Sequence, residues 1–251
     1  MNSWAQRRKS YITGSFILIV LGGIFFSYQS TQAGPTCSDG IRNQGEPAVD
    51  CGGPCARVCP FEATPLSVLW SRVLRVTEGR YDIAALIENK NSFFGVAVLP
   101  YTIKIYDAND ILIAEKKGET FANPHQRFVL FLPNIDTGKR IPEHIALELG
   151  DFDWRRVKAD YVAPTVSVED KQLSSDPFPR LSATLTNSGL KPLVGLEVIA
   201  VLSDIDDNVL AVSRTEVGAL ARNESKEASF TWPESFGKEA AIIDLYPRVH
   251  E

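Results

Sequence analysis

The chain has 251 residues, of which 44% are hydrophobic and 23% charged, enough for one large domain or two small ones. Three of its 26 basic residues stand together as Arg7-Arg8-Lys9, which leaves the rest of the chain more acidic than the net charge of −5 on the whole. A surface of that sign repels phosphate backbones, and nucleic acid is excluded as a partner.

No charged residue occurs between Lys9 and Asp39. Within that gap the run from Tyr11 to Tyr28 is dominated by Ile, Leu, Val and Phe. A bilayer core of about 30 Å needs roughly 20 apolar residues as a helix, so this run predicts a single transmembrane helix over 11–28. The basic cluster in residues 1–10 stays cytoplasmic by the positive-inside rule, which sends everything after Tyr28 outside. A cleaved signal peptide would share the basic flank and the apolar core, with Thr31-Gln32-Ala33 as its cleavage site. The run is longer than the roughly 7–15 residues of such cores, which favours retention as an anchor. A linker follows at 29–36.

All four cysteines, Cys37, Cys51, Cys55 and Cys59, fall in one short segment. In an exported chain this clustering predicts two disulfides, with three connectivities open. The segment 37–60 holds too few apolar residues to fold by burial, so cross-links stand in for a core. Zinc is the weaker alternative, because the cysteines lack two knuckles separated by a long loop. Asp39, Asn43, Glu46 and Asp50 offer oxygen ligands suited to calcium, and the same residue types make loop-capping turns without a metal.

Residues Cys37, Asp39, Gly40, Asn43, Glu46, Asp50, Cys51, Gly52, Gly53, Cys55 and Cys59 fit the pattern C-x-D-G-x-x-N-x-x-E-x-x-x-D-C-G-G-x-C-x-x-x-C. This segment resembles a short motif of exported bacterial proteins, and the resemblance implies a secreted or surface protein.

From residue 61 onward apolar residues alternate at period two, as in Leu181, Ala183 and Leu185 against Ser182, Thr184 and Thr186. Short strands broken by Asn, Asp, Gly and Pro clusters predict β-sandwiches. The chain also matches itself at a spacing of roughly 98 residues. The strand ending at Asn89 matches that ending at Asn187; the stretch from Tyr101 through Asp107 matches that from Val198 through Asp204; and Phe131-Leu132-Pro133 matches Thr231-Trp232-Pro233. The predicted fold is therefore all-β: two tandem sandwiches, at 61–160 and 161–251, after one transmembrane helix and a small disulfide-rich knob.

Each copy carries a strand ending in Asn, a long strand reaching Asp, then a turn and another strand. This arrangement resembles the FxLYD family of Ig-like extracytoplasmic domains. The first copy reads Ile103-Lys104-Ile105-Tyr106-Asp107 at the naming motif, with Ile in place of Phe and of Leu; the second reads Ala200-Val201-Leu202-Ser203-Asp204. The resemblance implies seven-stranded or similar Ig-like sandwiches and no catalytic activity.

Acidic clusters at Asp107, Asn109 and Asp110, and at Asp204, Asp206, Asp207 and Asn208, stand where hairpin turns favour such residues. His125, His144 and His250 lack ligand spacing, and no nucleophile motif or phosphate loop occurs. Trp154 and Trp232 are expected in the sandwich cores. Asn223-Glu224-Ser225 is a formal glycosylation sequon. These features point away from an enzyme and toward a membrane-anchored binding or scaffold protein of the cell envelope, with a protein partner there. The alternative reading is a calcium- or carbohydrate-binding surface module.

Overall fold

A computed structural model describes residues 3–31, 36–158, 161–175 and 178–250, and the chain falls into two units, 1–55 and 56–251. In the first, helix α1 spans Ser3–Thr31. Its stretch Tyr11–Tyr28 is long and apolar enough to cross a membrane, and its described side chains are exposed. Eighteen helical residues rise about 27 Å, close to the thickness of a hydrocarbon core. Met1 and Asn2 of the basic tail and residues 32–35 of the 29–36 linker, Gln32 and Ala33 of the alternative cleavage site among them, lie outside the described residues, and 29–31 continue helix α1.

The cysteine segment has almost no regular structure. Cys37 is bonded to Cys55, Cys51 and Cys59 are also disulfide-bonded, and no cysteine is free. The boundary between the units falls after Cys55, inside the expected knob.

The second unit is built of strands. In chain order they are β1 (Ser67–Thr77), β2 (Arg80–Asn89), β3 (Phe94–Tyr106), β4 (Leu112–Ala122), β5 (Gln126–Asp136), β6 (His144–Leu149) and the short β7 (Arg155–Arg156). Then come β8 (Val166–Ser174), β9 (Arg180–Asn187), β10 (Leu193–Ser203), β11 (Val209–Leu220), β12 (Ser225–Thr231) and β13 (Ile242–Arg248). All named pairings are antiparallel, in four sheets ordered β1-β2-β5, β4-β3-β6, β8-β9-β12 and β11-β10-β13, with β7 on the start of β3. The second pair of sheets repeats the topology of the first strand for strand. The chain is all-β after its apolar helix.

The repetition reaches single hydrogen bonds. Asn89, buried at the end of β2, donates from Nδ2 to the carbonyls of Phe94 and Asn123 and accepts from the Asn91 amide. Asn187, buried at the end of β9, donates to Lys191 and Leu220 and accepts from the Gly189 amide. A buried amide with its partners satisfied ties the strand end to the next connection in both copies. Positive φ recurs at Asp110 and Asp207, and at His125 and Asn223. One sequence landmark shifts: Ala85 faces Leu130 and Ala183 faces Ala228, so Leu132 corresponds to Phe230 rather than to Trp232.

Each sandwich has its own core. Ile83, Ala85, Ile87, Ile103, Ile105, Phe128 and Trp154 lie in the first; Leu181, Leu185, Val198, Ala200, Leu202, Phe230 and Trp232 lie in the second. A third apolar cluster joins them. Leu74, Ala84, Leu86 and Val129 of sheet β1-β2-β5 meet Ile199, Val201 and Val212 of sheet β11-β10-β13. Strands β2 and β10 are therefore buried on both faces, and unit 56–251 is a stack of four sheets with three apolar layers between them.

Candidate functional site

Of the knob residues expected to hold calcium, Asp39, Glu46 and Asp50 have their carboxylates engaged as loop staples, and among the described residues Asn43 Oδ1 is buried with no hydrogen-bond partner. Asp39 accepts from the amides of Thr36 and Ile41 and from Asn43 Nδ2. The Thr36 amide, then the Asn43 side chain and the Ile41 amide, hold its carboxyl below the usual range. Asp50 accepts from the Gly40 amide, and Glu46 from the amides of Asn43 and Asp50. Carboxylates accepting amides in this way fix a loop that has no core. Glu46 Oε1 also stands 2.9 Å from Cys55 Sγ, a sulfur with no proton to donate because it is in a disulfide. Among the described residues the one group of three close ligand types is Cys37, Glu46 and Cys55, and its two sulfurs are bonded to each other.

The two acidic hairpins are also built by their own side chains. Asp107 Oδ1 accepts from the amides of Asn109 and Ile111, and Asp204 Oδ1 from those of Asp206 and Asn208. These are Asx turns, with Asp110 and Asp207 in the left-handed region. Asp204 is buried and receives Lys238 Nζ at 2.7 Å; that ammonium, then the Asn208 amide, pull its carboxyl far below the ordinary range.

A concentration of positive charge lies where the two sandwiches meet. Ala56–Val58 runs beside Trp154–Arg156: the Val58 amide donates to the Trp154 carbonyl and the Arg156 amide to the Ala56 carbonyl. This pairing and the bonding of β7 to Phe94 and Gly95 hold Arg155 and Arg156 along the start of β3. The Val157 amide donates to the Phe93 carbonyl and carries the same edge on to Lys158. From the second sandwich, Lys191 arrives on the connection clamped by Asn187.

These four cations line a groove of about 500 Å³ floored by Gly95–Ala97 and Phe121–Pro124. A Cβ on Gly95 would meet the Ala122 carbonyl oxygen at 3.1 Å, so glycine permits this close approach. Arg155, Arg156, Lys158 and Lys191 are all exposed, and among the described residues none makes an ion pair and no acidic side chain lines the groove. The nearby Arg57 is neutralised by Asp153 at 3.0 Å. Arg156 lies over the Phe94 ring at 5.0 Å, and Phe93 is exposed at the adjoining cleft beside Tyr161.

Beneath the floor sits a fifth cation. Arg248, buried at the end of β13, donates from Nη2 to Thr120 Oγ1 and to the Phe121 carbonyl. Its guanidinium stands 3.6 Å from the centre of the Phe121 ring and 4.6 Å from that of Phe128. Burial pulls its pKa down to about 10, which leaves it charged at neutral pH. Arg248 thus joins the sandwiches and adds positive potential behind Phe121.

The groove was not among the sites expected from sequence. Arg155-Arg156-Val157-Lys158, three cations in four residues of an acidic chain, was the available signal; Lys191 and Arg248 join it only through the fold. No protein-family model and no curated protein matches this chain. Among solved structures, red sea bream transglutaminase is similar at a TM-score of 0.24 and 16% identity, over 73% of this chain and 31% of that one. The chain thus spans about a third of that protein's length, and a likeness at this level says nothing about activity.

Proposed function

We propose that the chain is a membrane-anchored scaffold or binding protein of the cell envelope, with its sandwiches on the extracytoplasmic side and no chemistry of its own. The observation that carries this reading is the apolar layer shared by Leu74, Ala84, Leu86, Ile199, Val201 and Val212. It fuses two domains that a linker alone would leave free to move, and a rigid body suits presentation of a surface at a fixed geometry. The single apolar helix supplies a membrane attachment. The basic cluster before it supports a cytoplasmic N-terminus, and disulfide bonding of all four cysteines suits an oxidising compartment. The FxLYD-like stretch Ile103–Asp107 adds a resemblance to extracytoplasmic modules.

The test is made in cells. Protease added to spheroplasts is expected to digest the sandwiches, and a thiol reagent added without reductant is expected to leave all four cysteines unmodified. A photo-crosslinker at Lys104 or Thr184, on the two outer sheet faces, should then yield one discrete adduct with an envelope protein. Protected sandwiches, labelled cysteines or the absence of any adduct would each overturn the proposal.

A further inference from the structure

We propose that the groove between Arg155, Arg156, Lys158 and Lys191 binds a phosphate-bearing organic ligand. The inference rests on the scaffold reading only for where such a ligand is met. The whole chain carries a net negative charge, which disfavours indiscriminate binding of polyanions. At physiological ionic strength, however, fields fade over about 8 Å, so the groove's own charges dominate inside it. Among the described residues those charges are all positive, and Arg248 lies behind the floor.

Cations gathered along one groove, with no carboxylate among its described lining, repel one another. Here the backbone that carries them is fixed by β7 pairing, by the Val157 amide on the Phe93 carbonyl and by the Asn187 clamp. The two guanidinium forks match the oxygen geometry of phosphate, while Lys158 and Lys191 add point charges to the same groove. The remaining lining suits the organic part of the ligand. Val96, Ala97, Val157 and the Phe121 ring are apolar, and a volume of about 500 Å³ fits a headgroup-sized molecule. Phosphate can come from a lipid headgroup or from a soluble organophosphate, and the chemistry at the groove is the same.

The experiment uses the full chain in maltoside detergent micelles, which carry no phosphate, and in phosphatidylglycerol nanodiscs, and follows acylation of each lysine by mass spectrometry. Lys116, exposed on β4, is the internal reference. In the phosphate-free micelles, glycerol 3-phosphate at about ten times its Kd should slow labelling of Lys158 and Lys191 roughly tenfold and leave Lys116 unchanged. In phosphatidylglycerol discs the same protection without additive identifies the lipid as the source; protection only with glycerol 3-phosphate identifies a soluble one. The pair Arg155→Gln and Arg156→Gln should abolish protection without moving the melting temperature, since both side chains are exposed. The proposal is overturned if neither phosphate source protects, if protection survives the double substitution, or if acetate at equal ionic strength protects as well. Those failures would leave the scaffold reading standing, because it is judged by topology and crosslinking in cells.

Discussion

Strands β2 and β9 hold the same place in the repeat and differ in what lies on their second face. Both send alternate residues into their own sandwich: Ile83, Ala85 and Ile87 from β2, Leu181, Ala183 and Leu185 from β9. The other face of β2 carries Ala84 and Leu86, buried against the second sandwich. The other face of β9 carries Ser182, Thr184 and Thr186, half-buried and facing outward. The converse holds for the next strand of each copy. Ile199 and Val201 of β10 are buried at the junction, whereas Thr102 and Lys104 of β3 occupy the outer face, with Lys104 paired to Glu148 at 2.7 Å. The two copies thus meet through different sheets, a heterologous contact of the kind that can repeat without closing. Polar residues on β9 and on β3 end the stack after two, so the same positions that join the copies also stop a third from adding.

The most damaging way to break this comparison is to exchange the two kinds of face. Leu86→Lys places a charge in an apolar layer with no partner and is expected to cost about 3–5 kcal/mol. Its counterpart Thr184→Lys, on the outer face, should stay within about 0.5 kcal/mol. Urea unfolding of the chain in detergent checks both, and equal losses at the two positions would refute the four-sheet stack.

Where the copies agree, substitution should do the same thing in each. Asn89→Ala and Asn187→Ala each strand two carbonyls and one backbone amide that the buried side chain had satisfied, and Asn89→Ala also takes an acceptor from Asn91 Nδ2. Each loss is expected to cost about 2–4 kcal/mol, on the scale of one to two unsatisfied buried groups. Unfolding midpoints that differed sharply between the two variants would show that the clamps are not equivalent.

The contrast between faces also shows how far the sequence could be read. Alternation in Leu181–Thr186 identifies a strand with one wet face. The unbroken runs Ile83–Ile87 and Val198–Leu202 are what burial on both faces requires, so the junction was present in the pattern. Which sheet of one copy meets which sheet of the other was not, because period two fixes faces and not partners. Both tryptophans of the cores were legible as large apolar side chains near strand ends. The disulfide Cys37–Cys55 was not, since spacing leaves several closures open. The groove escaped for a different reason: Lys191 and Arg248 are remote from Arg155 in sequence and join it only when the sandwiches stack.

A smaller effect separates the two acidic hairpins at low pH. The folded chain holds the Asp204 carboxyl ionised well below its ordinary pKa, through Lys238 first. Its stabilising contribution is therefore complete above about pH 4 and is lost as pH falls through the depressed folded value. Asp204→Asn should flatten the acid limb of a melting-temperature profile taken from pH 7 to pH 2. A profile as steep as that of the unsubstituted chain would show that the Lys238 pair contributes nothing.

The least effect is expected at the knob, where the same residue types fix a loop instead of a hairpin. Asp39 lies in solvent, and its carboxyl is depressed by amides and by Asn43 rather than by a cation. Protonation removes the charge that those donors favour, so the loop should loosen only as pH drops below the ordinary carboxylate range. Asp39→Asn keeps one accepting oxygen, discards the charge and sets an NH2 group where the other oxygen accepted, and the sandwiches should melt unchanged. Calcium would have to displace the amides on Asp39, Glu46 and Asp50 to reach their oxygens. Calorimetric titration with millimolar calcium should therefore release no heat in either protein. Heat in the unsubstituted chain that Asp39→Asn removes would show that these carboxylates exchange their amides for the cation, and the knob would then be an ion site as well as a staple.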